Sequence, residues 1–174
     1  DYELSTEKAR QALPRELPYK DAVYNVSRVG LLPAAMNPVV LAQAAQQGRS
    51  GVAAAPAQDT DTCACADGTR ESAFADELAA AQAQSNALLF TATQDKLHQP
   101  YRGVLMPPST ELIALFRSKG YAAAVSGAGP CVLVLHYGNA REAIDQIASE
   151  QLASGHWRVL HLPINTAGVE IERR

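Results

Sequence analysis

Two apolar runs, Tyr121 to Val125 and Cys131 to Tyr137, flank the segment Ser126-Gly127-Ala128-Gly129-Pro130. Each run is too short for a stable helix and rich enough in Val, Leu and Ala for a buried strand. The segment between them carries two Gly and a Pro, so it predicts a sharp turn joining neighbouring strands. Its small side chains leave the backbone bare. Its N–H groups can face an anion, or another backbone can approach closely, and a plain tight hairpin is the other reading. No G-x-G-x-x-G and no G-x-x-x-x-G-K-[ST] occurs in the chain, so these glycines are no nucleotide fingerprint.

The pattern around this turn sets the fold class. Ser109 or Thr110 can cap a helix through Leu112, Ile113, Leu115 and Phe116, with Gly120 as its end signal. Ala140 to Leu152 reads as an amphipathic helix, and Trp157 to Ile164 alternates like a strand. Val169 to Ile171 can form a last short strand. From residue 109 the order is helix, strand, strand, helix, strand, which is most of a split βαββαβ, ferredoxin-like sandwich whose first strand is missing or truncated. Residues 1–108 read as mostly helical, so the fold class is α+β.

In that helical part, Ser5 or Thr6 can cap a short helix that stops at Pro14. Asp21 to Met36 follows, with Ala22, Val23, Val26, Val29, Leu32 and Ala35 at helical spacing and a kink expected at Pro33. Asn37-Pro38 opens another helix, closed by Gly48. A long Ala-rich helix is expected from Glu71 to Lys96, ended by Pro100. Between them, residues 47–70 hold Gly, Ser, Ala, Pro, Asp and Thr and almost no large apolar residue, which predicts a flexible insertion.

Charge and cysteine narrow the functional classes. The formal net charge is −3, with Lys plus Arg 15 and Asp plus Glu 18, so no basic stripe suits nucleic acid. No apolar run approaches the ~20 residues that span a bilayer. Three cysteines, Cys63, Cys65 and Cys131, make no disulfide scaffold and point to the cytoplasm. Cys63-Ala64-Cys65 lacks zinc-knuckle spacing, Cys131 reads as a small buried hydrophobe, and no metal site is expected. The chain opens Asp1-Tyr2-Glu3-Leu4 with no Met and no leader pattern, and is expected to be processed or a piece of a longer protein.

Two further segments could carry chemistry. In His98-Gln99-Pro100-Tyr101-Arg102-Gly103, Arg102 can clamp a carboxylate or phosphate through its planar fork, or be a plain surface Arg. His98 lacks an evident carboxylate partner by spacing and reads as a structural polar residue more readily than as a general base. In Ser5-Thr6-Glu7-Lys8-Ala9-Arg10, Thr6 lies at a helix start and Arg10 four residues on, along the same face. A capping Thr with a solvated Arg is the alternative.

Taken in order, STEKARQALP, KDAVYNVSR, DKLHQPYRGVLMP and AAAVSGAGPCVLVL resemble the C-terminal half of the homoserine kinases, members of the small-molecule kinase family that includes galactokinase and mevalonate kinase. The resemblance covers nearly the whole chain outside residues 47 to 85. It implies transfer of the γ-phosphoryl group of ATP, with Mg²⁺, to the side-chain hydroxyl of L-homoserine, for threonine synthesis, by a cytoplasmic and dimeric enzyme. It implies that Arg10 and Arg102 hold the homoserine carboxylate and that Thr6 lies near the hydroxyl and the γ-phosphate. It also implies that Gly127 and Gly129 lie against the substrate, while Ser126 and Ala128 support the phosphate loop. That loop, of the form P-x-x-x-G-L-G-S-S, and the acid that holds the homoserine amine are absent from this chain. The resemblance places them in an N-terminal ATP-binding half, so this chain is not expected to be active alone. Asp21 and Asn25 match positions common in the family and read as a helix cap and a polar contact. A related kinase acting on another hydroxyl compound and a non-catalytic amino-acid-binding module are the alternatives. The paired Arg10 and Arg102 count against the first, and the helical part before Ser109 counts against the second.

Overall fold

The computed structural model of the chain describes residues 5–38, 67–162 and 171, the side chains of 67–74 excepted. Beyond Pro38, the expected helix from Asn37-Pro38 to Gly48 lies outside the described residues, as do the thiols Cys63 and Cys65, most of the 47–70 insertion and, but for Ile171, the expected strand Val169 to Ile171. The chain divides into two units, residues 1–140 and 141–174.

The first unit starts with α1 (Thr6–Gln11) and α2 (Tyr19–Val29), followed by α3 (Leu32–Ala35). Pro33 does not kink a long helix. The chain breaks at Gly30 and Leu31, and Pro33 sits in the first turn of α3, where its missing N–H costs nothing. Asp21 is not the cap of α2. Pro18 holds that position, and Asp21 lies in the first turn, 3.7 Å from the Lys96 ammonium. The expected apolar stripe of α2 does not face the core. Val23, Val26 and Val29 are 48, 69 and 56 % exposed. The helix is held instead by its polar side: Tyr24 donates to Gln94, Asn25 donates to Asp95, and Arg28 donates to Gln94 over 3.3 Å.

The long helix α4 spans Asp67–Ala92. It begins inside the stretch expected to be a flexible insertion, because each residue added to a formed helix gains a backbone hydrogen bond. It ends four residues before Lys96, where the Thr93 hydroxyl donates back to Leu89 O over 2.8 Å. Two short turns follow, α5 (Gln99–Arg102) and a 3-10 turn (Gly103–Leu105).

Helix α6 spans Pro107–Ser118, two residues earlier than its expected cap, with proline in its first turn. Ser109 and Thr110 are therefore inside it. The Ser109 hydroxyl donates to Pro130 O over 2.6 Å, and that of Thr110 donates to Gly103 O over 3.1 Å. The far end follows the sequence expectation. Gly120 has φ +86°, Gly120 N–H donates to Arg117 O and Tyr121 N–H to Phe116 O. The rings of Phe116 and Tyr121 then meet edge-on at 6.3 Å.

Strands β1 (Ala122–Val125) and β2 (Val132–Leu135) pair antiparallel, Ala122 opposite Leu135 and Val125 opposite Val132. Helix α6 covers this hairpin. The core joins Ala35, Leu89 and Ala122, with Leu32, Leu88, Phe90, Leu135 and Tyr137 around them. Arg117 pins the layers. Its Nη2 donates to Phe90 O over 2.7 Å, its Nη1 to Ala123 O over 3.0 Å, and its guanidinium lies 4.3 Å from the centre of the Phe90 ring. Burial lowers its pKa, but an Arg stays charged throughout the working range. A cation at the carbonyl end of α4 is favourably placed against the helix dipole. Cys131 is exposed, not buried, because it belongs to the turn ahead of β2.

In the second unit the expected helix is two helices, α7 (Arg141–Ile147) and α8 (Ser149–Ala153). The break falls at Ala148, a strong helix former that is 8 % exposed, so packing and not propensity sets it. Residues 157–162 are not a strand. An alternating pattern becomes a strand only when a sheet edge pairs with it, and here Leu160 and Leu162 are 60 and 78 % exposed. The architecture is α+β, helices with a small antiparallel sheet.

Candidate functional site

The three motifs meet at one guanidinium. Arg102, at the last position of α5, donates from Nε to Ala9 O over 3.1 Å and from Nη1 to Gly127 O over 3.4 Å. One side chain thus ties the STEKAR helix, through the residue just before Arg10, to the turn between β1 and β2. Arg102 is half-buried, while Thr6 and Arg10 are exposed. Neither Ser5 nor Thr6 caps α1 through its side chain.

The turn is built as its composition requires. Ser126 N–H donates to Cys131 O over 2.8 Å, and Gly129 N–H donates to Ser126 O over 3.1 Å. Gly127 has φ +63° and Gly129 φ +86°, the left-handed region in which a Cβ is strained, and the Gly129–Pro130 bond is cis. At Gly127 the space where a Cβ would lie is open. At Gly129 it is filled, 2.5 Å from Met106 Sδ and 3.3 Å from Val125 Cγ1. Ser126 and Gly127 are exposed, and Ala128 is half-buried.

The turn that carries Arg102 is itself anchored. The Asp95 carboxylate accepts N–H bonds from Leu97, His98 and Gln99 at 3.1, 2.9 and 2.6 Å, besides the Asn25 amide. Burial pushes the Asp95 pKa up, and these donors together outweigh it and hold the carboxyl below its ordinary value. Asn25 also accepts Lys96 N–H over 2.9 Å, so it is the polar contact expected from the sequence. His98 does have a carboxylate nearby: its Nε2 lies 3.7 Å from Asp95 Oδ2. Asp95, three residues ahead of His98, is the residue that sequence reasoning missed. Its signal was an Asp followed by a Pro-containing turn, but the segment read as the end of a helix.

A groove of about 340 Å³ is lined by Tyr24, Lys96, Gln99, Pro100 and Arg117, among others. None of Thr6, Arg10, Arg102 and residues 126–130 lines it, so this groove is not where the motifs meet. Among the described residues no group of His, Cys, Asp and Glu could hold a metal ion, and no helix is long and apolar enough to cross a membrane.

The profile described as GHMP kinases C terminal matches residues 72–153. Residues 72–153 correspond to the C-terminal domain of the GHMP kinases. This domain includes α6, the hairpin and the Gly turn. The chain is 32 % identical over 171 residues to the homoserine kinase of Clavibacter michiganensis subsp. michiganensis, covering 97 % of itself and 39 % of that protein. It is 33 % identical over 172 residues to the homoserine kinase of Leifsonia xyli subsp. xyli, covering 98 % of itself and 38 % of that protein. The chain therefore spans about two fifths of the length of the curated relatives it matches. A crystal structure of homoserine kinase from Cytophaga hutchinsonii has the same fold, with TM-score 0.51 and 18 % identity, over 88 % of this chain and 35 % of that one.

Proposed function

We propose that this chain is the amino-acid-binding part of a homoserine kinase. In the complete enzyme, a bond forms between the side-chain hydroxyl oxygen of L-homoserine and the γ-phosphorus of ATP. The bond to the ADP oxygen breaks and the hydroxyl proton is released. The observation that supports this reading most is the Arg102 guanidinium, bonded at once to Ala9 O and Gly127 O. It joins three of the four segments that carry the resemblance.

In this reading Arg10 and Arg102 hold the homoserine carboxylate. A guanidinium has five N–H donors in a fixed fork, so Arg102 can keep its two backbone bonds and still present donors to an anion. Thr6, one turn before Arg10, sits near the hydroxyl, and its contribution is a hydrogen bond and not a strong base. Gly127 and Gly129 let the backbone approach the substrate, and Ser126 and Ala128 support the phosphate loop. In this proposal ATP and its Mg²⁺ are held mainly by an N-terminal half of the enzyme, as the resemblance implies. Phosphoryl transfer asks the protein mainly for positioning and charge stabilisation, which suits a site with two arginines and no evident base. The same reading gives a cytoplasmic homodimer in threonine synthesis.

The carboxylate is the test. Charge-assisted hydrogen bonds contribute about 1.5–3 kcal/mol each. L-homoserine amide should therefore be phosphorylated by the protein from the complete reading frame with a kcat/KM at least ~100-fold below that of L-homoserine. Equal turnover of acid and amide would reject Arg10 and Arg102 as a carboxylate clamp and favour a related kinase with an uncharged substrate.

A further inference from the structure

We infer that Asp95 is a positioning residue for the substrate-binding Arg102, acting through the turn that it caps. This inference rests on the homoserine kinase reading. The Asp95 side chain is only 7 % exposed. Its two oxygens accept four donors: Oδ1 takes Leu97 N–H and the Asn25 amide, and Oδ2 takes His98 and Gln99 N–H. These fix the start of α5, a helix of four residues that is far too short to hold itself.

Both ends of α5 meet the Gly turn. At its start, Gln99 Oε1 accepts Val125 N–H over 2.9 Å, at the last residue of β1 before Ser126. At its end, Arg102 donates to Gly127 O and to Ala9 O. One buried carboxylate therefore sets the direction of an element that links α1, β1 and the turn. Asn25 extends the clamp to α2, since it donates to Asp95 and accepts from Lys96 N–H. Removing the carboxylate leaves three N–H groups unpaired, frees α5 to tilt and moves the Arg102 fork. A misplacement of about 1 Å in a positioning group can cost up to ~100-fold in rate.

The test uses Asp95→Ala, Asp95→Asn and Arg102→Ala in the protein from the complete reading frame, with KM for homoserine and ATP measured separately. Asp95→Ala should raise the homoserine KM about tenfold or more and leave the ATP KM within about twofold. Asp95→Asn, which keeps one acceptor oxygen, should fall between Asp95→Ala and the parent protein. A homoserine KM unchanged in Asp95→Ala, or a rise shared equally by ATP, overturns the inference. If Asp95→Ala does not fold, Asn25→Ala breaks the same clamp more mildly and should raise the homoserine KM about threefold, again without ATP. No homoserine-specific rise there also overturns it. The control separates the two claims. A homoserine KM unmoved by Arg102→Ala defeats the functional reading itself. A rise with Arg102→Ala and none with Asp95→Ala defeats only the positioning role.

Discussion

Arg102→Ala in the complete enzyme should raise the homoserine KM by about 10- to 100-fold and leave the ATP KM within about twofold. The size follows from the loss of one or two charge-assisted hydrogen bonds, each worth about 1.5–3 kcal/mol, where 1.4 kcal/mol is a factor of ten. The selectivity follows from where Arg102 sits. It bonds Ala9 O and Gly127 O, and both belong to segments that the resemblance puts around the amino acid. Some loss of stability should accompany the change, because the two carbonyls lose their donor. Gly127 is exposed and water can replace the guanidinium there, whereas Ala9 is fully buried, so the cost falls mainly on Ala9 O. Arg102→Lys should recover only part of the affinity. An ammonium cannot present a planar fork to a carboxylate while bonding two carbonyls in different directions. Equal weakening of homoserine and ATP would mean that Arg102 only holds the fold together.

Gly129→Ala should destabilise the protein by about 3 kcal/mol, and Gly127→Ala by about 1 kcal/mol. Both positions are left-handed, at φ +86° and +63°, so both pay the strain of a Cβ in that region. Only Gly129 adds a collision. Its Cβ would lie 2.5 Å from Met106 Sδ and 2.7 Å from Met106 Cε. Methionine is normally adaptable, but Met106 is fully buried, so any shift of its Sδ and Cε must displace packed neighbours. Overpacking of this kind costs about 1–3 kcal/mol. Thermal unfolding of the two variants side by side checks the difference, with Gly129→Ala melting several degrees lower. Equal melting temperatures would show that Met106 yields. Homoserine turnover should fall further in Gly129→Ala as well, because the turn it closes also carries Gly127, the partner of Arg102.

The parts of this fold that were legible from sequence are those that local chemistry determines. Two apolar runs around a Gly-rich turn give a hairpin in any context, and Gly120 after an amphipathic run ends a helix. The unread parts depend on what the rest of the molecule offers. The valines of α2 keep perfect helical spacing, yet Tyr24, Asn25 and Arg28 find partners at Gln94 and Asp95, and the polar side wins the interior. Residues 157–162 alternate as a strand should, but alternation gives no sheet edge to pair with. Cys131 looks buried beside Val132 to Leu135 and is exposed because it is one residue short of the strand. The grouping of the motifs could be expected only from the resemblance. Spacing alone leaves Arg102 open between an anion clamp and a plain surface residue, and says nothing of the carbonyl 93 positions away that it bonds. Asp95 was hidden for a simpler reason: its one signal, an Asp ahead of a Pro-containing turn, lies in a segment that reads as the end of a helix.

The central claim, that this chain binds the amino acid in a homoserine kinase, is tested most directly by ADP release. The protein from the complete reading frame is assayed with ATP and Mg²⁺, with and without L-homoserine, beside this chain alone. The account predicts homoserine-dependent ADP release by the complete protein and none by the chain alone. No homoserine-dependent release from a well-folded complete protein would contradict it.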